Sequence, residues 1–142
     1  MGREAVEALL PHRGHMLMVD EIVEIQPGER AVARKYVRDD EFWCAGHFPG
    51  RPILPGVLMA EALAQTAALL FTSQEGKAGA TVYLVGMEKM RFRRMVQPGD
   101  VLELEVTVSD TRHSMYTFQA TARVDGQRAC TGSFLATVDK ES

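Results

Sequence analysis

Residues 57 to 72, VLMAEALAQTAALLFT, are apolar on every face of a helix except at Glu61, Gln65 and Thr66. Such a helix is stable only when buried all round, so the rest of the chain must supply a wrapper. Strand-like runs at 16 to 25, 30 to 37, 81 to 96, 101 to 109, 115 to 124 and 128 to 138 offer one. In the fourth, Leu102, Leu104, Val106 and Val108 alternate with Glu103, Glu105 and Thr107, the period of a half-buried antiparallel strand. Turn signals at Gln26-Pro27-Gly28-Glu29, Gln97-Pro98-Gly99-Asp100 and Asp125-Gly126 join the runs in hairpin order. With a short amphipathic helix over 3 to 10 and a loop over 38 to 55, the expected fold is α+β: a curled antiparallel sheet wrapped around one long central helix.

A chain of 142 residues, 46% of them hydrophobic, has room for one domain, 1–142, and not for two. The formal net charge of -3 argues against a nucleic-acid surface spread over the molecule, so an anionic partner would have to be met locally. The run Ile53 to Phe71 is long enough to span a membrane, but Pro55, Gly56, Glu61 and Gln65 interrupt it, and a buried core helix is the better reading. Cys44 and Cys130 lie far apart behind a charged, leaderless start, which suits two reduced thiols in the cytoplasm.

Glu61 and Gln65 stand four apart and share a helix face. Burying a carboxylate raises its pKa, the state a general acid needs; a salt bridge to Arg51 or a place at a subunit boundary would be the structural alternative. His47 sits in the Gly/Pro-dense loop ahead of the helix, where rigid backbone can fix an imidazole as a base, or where it simply bonds a neighbouring carbonyl. The helix start Pro55-Gly56-Val57 offers amides for an oxygen gaining negative charge. A base, an acid and an oxyanion donor then fit proton abstraction beside a carbonyl, followed by loss of a β-hydroxyl.

Other patterns are weaker. Cys44 and His47 have C-x-x-H spacing, and His12 and His15 have H-x-x-H spacing, but Cys44 follows Phe42-Trp43 as a core thiol would, and no metal is expected. Met59, Phe71, Met87, Met90 and Phe92 are either plain core or the lining of an acyl tunnel. Lys89, Arg91 and Arg93 alternate along EKMRFRRMV with Arg94 just beyond, either as solvated strand charges or as a docking patch.

The stretches LPHRGHMLMVDEI (10 to 22), GHFPGRPILPGVLMAEALAQ (46 to 65) and MRFRRMVQPGD (90 to 100) resemble the β-hydroxyacyl-acyl carrier protein dehydratases of type II fatty-acid synthesis. That resemblance implies the hotdog fold and the conversion of (3R)-3-hydroxyacyl thioesters to trans-2-enoyl thioesters without metal or organic cofactor. By position it makes His47 and Glu61 catalytic and the Gly56 amide the carbonyl-binding group, with Phe48, Val57 and Gln65 as substrate-site neighbours. It also implies a homodimer in which His47 of one subunit meets Glu61 of the other, sometimes a trimer of dimers, and an acidic acyl carrier protein docking on Lys89, Arg91, Arg93 and Arg94. The chain departs from the family at Gly14-His15, where an aromatic-proline pair is usual, and at Ala45, where glutamine is frequent. A thioesterase or a non-catalytic acyl-binding module on the same fold are the alternatives; the first would release free thiol, and the second would need neither His47 nor Glu61.

Overall fold

A computed structural model describes residues 2–112 and 115–138. Helix α1 (Arg3–Leu9) and a 3-10 turn (Gly14–Met16) precede β1 (Glu21–Gln26) and β2 (Arg30–Tyr36). Helix α2 (Gly56–Thr72) follows a long loop, and β3 (Val82–Phe92), β4 (Val101–Arg112), β5 (Met115–Val124) and β6 (Gln127–Val138) complete the order. The strands form one sheet in the order β1-β2-β4-β5-β6-β3, with every pairing antiparallel. The sheet curls around α2, which packs chiefly on β4 and β2. This is the hotdog architecture.

The alternation in β4 explains the curl. Leu102, Leu104 and Val106 are fully buried toward α2, each contributing about 1.5–3 kcal/mol of burial. Their cross-strand neighbours on that face are alanines: Ala33 and Ala122 flank Leu104, and Ala31 and Ala120 flank Val106. Small residues there, with Ala60, Ala62, Ala67 and Ala68 on the helix, let the sheet close on α2 at native packing density. On the outer face Glu105 accepts hydrogen bonds from Arg30 and Arg123, each at 2.9 Å, and Glu21 accepts one from Arg34 at 2.9 Å. The wrapper is therefore apolar inside and laddered by charge outside.

Three elements differ from the sequence expectation. The run 16 to 25 pairs as a strand only from Glu21, because the Met18 N–H donates to Gln65 Oε1 at 2.8 Å instead of to a neighbouring strand. In β3 the ladder slips between Glu88 and Arg91, with Lys89 at φ 55, and the strand ends at Phe92. The regular alternation expected of Lys89, Arg91 and Arg93 is consequently broken by a bulge. Finally, β4 runs on to Arg112, past the expected end at 109.

Candidate active site

The loop between β2 and α2 presents His47. Its Nδ1 lies 2.8 Å from the Ile53 carbonyl oxygen, and its backbone N–H donates to the Trp43 carbonyl at 2.9 Å. A carbonyl only accepts, so Nδ1 carries the proton and Nε2 presents its lone pair. Phe48 stacks on the imidazole with ring centroids 4.3 Å apart. The carbonyl bond expected as the alternative for His47 is thus present, and it fixes the ring through Nδ1.

An open depression of about 470 Å³ brings His47 together with Phe48, Gly56, Met59, Phe92, Arg93 and Arg94, among others. Gly56 opens α2, and its amide and that of Val57 come before the first helical hydrogen bonds, which Leu58 and Met59 make to the Pro55 carbonyl. A side chain at 56 would put its Cβ 2.9 Å from the Phe92 ring, so only glycine fits beneath that ring. Val57 itself is 70% exposed and does not line the depression. Arg94 donates to Gln127 Oε1 at 2.9 Å, while Lys89 and Arg91 are exposed on β3.

Glu61 belongs to a different cavity, of about 90 Å³, lined by Gln65, His12 and Ala64 and closed at its base by Phe118 and Phe134. Gln65, 1% exposed, is the fixed point. Its Nε2 donates to Glu61 Oε2 at 2.8 Å and to the Met16 carbonyl at 2.6 Å, and its Oε1 takes the Met18 N–H. All its hydrogen-bonding directions but one are used, so the amide holds one carboxylate oxygen and aims the other. The expectation of a deeply buried carboxylate needs correction: the Glu61 side chain is 31% exposed, because this chain's own sheet leaves that helix face uncovered. Arg51 is exposed, and among the described residues it forms no ion pair with Glu61.

The sequence reading missed His12 as a neighbour of Glu61. Its Nε2 lies 4.0 Å from Glu61 Oε2, and its Nδ1 is buried with no hydrogen-bond partner in the structure. The H-x-x-H spacing misdirects here, since His15 turns away to meet Phe42 edge-on. Cys44 Sγ is held by the Arg38 carbonyl at 3.3 Å, away from His47. Burial pushes both thiols up, Cys130 to about 11, so neither is poised as a nucleophile. Of the aromatic and methionine positions, Met59 and Phe92 line the His47 depression, Phe71 packs in the core against Tyr116 and Phe118, and Met87 is exposed.

The single chain therefore keeps two groups of candidate residues apart, His47 with Gly56 in one cavity and Glu61 with Gln65 and His12 in the other.

Both the fold and the sequence are similar to those of known proteins. The dehydratase heterocomplex ApeI:P from Xenorhabdus doucetiae is similar in fold with a TM-score of 0.82 at 17% identity, covering 96% of this chain and 91% of that one. A hypothetical thioesterase with coenzyme A from Streptococcus pneumoniae superposes with a TM-score of 0.65 at 12% identity, covering 84% of each chain. In sequence, the chain is 45% identical over 130 residues to the 3-hydroxyacyl-[acyl-carrier-protein] dehydratase FabZ of Oenococcus oeni, covering 92% of this chain and 94% of that protein. It is 47% identical over 135 residues to the protein of the same name from Chloroflexus aggregans, covering 95% and 94%. The family model of the FabA-like domain matches residues 10–133, and the chain belongs to the FabA-like domain family.

Proposed function

We propose that this chain is a 3-hydroxyacyl-[acyl carrier protein] dehydratase that converts (3R)-3-hydroxyacyl thioesters to trans-2-enoyl thioesters in acyl-chain biosynthesis. The observation that carries the reading is the 45% identity over 92% of the chain to a relative named for that reaction. The geometry is compatible with the following roles. His47 Nε2 removes the C2 proton while the Gly56 amide steadies the oxygen of the enolate-like carbonyl. Glu61, carrying the proton itself or relaying it through a water and aimed by Gln65, gives a proton to the leaving β-hydroxyl, which departs as water. His47 then holds one proton more and Glu61 one fewer, and exchange with solvent restores both. Incubation with 3-hydroxyacyl and 2-enoyl thioesters of several lengths, read by mass spectrometry, tests this: loss or gain of one water with the thioester intact supports it, release of free thiol supports the thioesterase, and no change in either direction overturns it.

We read the two groups as half-sites joined between two copies. Edge strand β3 exposes Tyr83, Leu84, Val85 and Met87, a row of apolar side chains beside unpaired backbone that invites a second chain. The half-covered face of α2 at Glu61 and Ala64, and a 90 Å³ cavity well below the roughly 300 Å³ of an ordinary ligand site, suit a site finished by a partner. Dimers of this kind could stack further as a trimer of dimers. No described helix is long and apolar enough to cross a membrane. A cytoplasmic location is proposed on the two free cysteines.

The substrate arrives on an acidic acyl carrier protein. Arg93 and Arg94 line the His47 depression, and Lys89 and Arg91 extend the positive charge along the outer part of β3. Lys89→Glu with Arg91→Glu is expected to raise KM for carrier-protein substrates about tenfold and flatten its dependence on salt, while small thioester mimics are turned over as before. Equal loss on both substrate types would show that these side chains support the fold, and the docking surface would have to be sought elsewhere.

A further inference from the structure

The loop that carries His47 contains no helix or strand between Tyr36 and Gly56, yet the proposed mechanism needs its imidazole fixed to within a fraction of an ångström. Beneath it lies an ion pair buried to an unusual degree. Lys35 on β2 and Glu41 in the loop have side chains 3% and 5% exposed, with Nζ 2.7 Å from Oε1. The same Oε1 accepts the Trp43 indole N–H at 3.2 Å, and Oε2 accepts the Arg38 N–H at 2.8 Å. Trp43, itself 4% exposed, then turns its carbonyl to the N–H groups of Gly46, at 3.3 Å, and His47, at 2.9 Å. Lys35 thus reaches the backbone of His47 through two residues.

We propose that Lys35, Glu41 and Trp43 form the positioning unit for His47, acting on the reaction through the backbone of that loop and touching no substrate. The proposal rests on the dehydratase reading for its kinetic consequence, and on geometry alone for its structural one. Stability does not require charges at this place, since replacing a buried ion pair with apolar side chains of similar volume is often neutral or stabilising. What an apolar pair cannot do is direct a specific geometry: the carboxylate accepts three donors, from Lys35, Arg38 and Trp43, and ties the end of β2 to the loop. Burial drives the Glu41 carboxyl upward, but the Arg38 N–H and the Lys35 ammonium outweigh it and leave it below the usual carboxylate range, charged at neutral pH. The clamp is therefore set under working conditions.

Lys35→Met combined with Glu41→Leu separates position from stability. Its melting temperature is expected to fall somewhat, because the Arg38 N–H and the Trp43 indole lose their acceptor; measured well below that temperature, kcat is expected to fall about 10- to 100-fold with KM little changed, and the His47 imidazole NMR resonances, assigned with His47→Ala, to shift and broaden. Trp43→Phe removes the indole donor, leaves every charge paired, and should show the same two effects in smaller size; it carries the test if the double variant fails to fold. Unmoved His47 resonances overturn the positioning role even where kcat falls, and parent-like kcat overturns its bearing on catalysis even where the resonances move. Failure of the dehydratase reading looks different: the parent itself would leave 3-hydroxyacyl thioesters unchanged, while the NMR comparison would still decide whether the unit holds His47.

Discussion

His47→Ala and Glu61→Gln are each expected to lower kcat by about 10²- to 10⁴-fold, the usual cost of removing a positioned acid or base. The two substitutions differ in what else they disturb. Glu61→Gln keeps a carbonyl oxygen where Gln65 Nε2 now donates at 2.8 Å, so the contacts from Gln65 to Met16 and Met18 survive and KM should hardly move. Removing the imidazole leaves the Ile53 carbonyl without its donor, a loss of about 1–3 kcal/mol if that oxygen stays buried, so His47→Ala should also melt somewhat lower. Kinetics on a 3-hydroxyacyl thioester, run well below each variant's melting temperature, separate the effects. Near-parental turnover in Glu61→Gln would remove Glu61 from the mechanism.

Much of the fold could be read from the chain because its signals are local. The alternation from Leu102 to Val108 places the start and the buried face of β4, and the Gln26-Pro27-Gly28-Glu29 turn closes with Gly28 at φ 76 as its glycine suggests. Asp125 and Gly126, both at positive φ, make the tight β5–β6 connection. What the sequence hid depends on distant partners. The β3 bulge follows from pairing with β6, 40 residues and more away, and nothing in EKMRFRRMV announces it. His12 meets Glu61 across 49 positions because Gln65 ties the Met16 to Met18 segment onto α2. Lys35, by contrast, carries a local signal: it shares its strand parity with the buried Ala31 and Ala33, which marks a cation for the core.

The arrangement of the half-sites leads to the other large effect. His47 and Glu61 line different cavities of one chain, and in a two-fold symmetric dimer each site would take His47 from one copy and Glu61 from its partner. Mixing His47→Ala with Glu61→Gln protein, each nearly inactive, then creates one intact site in every heterodimer and one site lacking both groups. Random exchange makes half of the dimers heterodimers, so activity should rise to about a quarter of the parental level, a gain of one to several orders of magnitude over either variant alone. The yield follows from symmetry, independent of chain length or substrate, which makes it a sharper test than loss of function. Exchange is verified by native mass spectrometry of differently tagged copies. If the heterodimers form and activity stays at the level of the single variants, His47 and Glu61 serve the same chain, and the exposed β3 edge joins copies without completing the site.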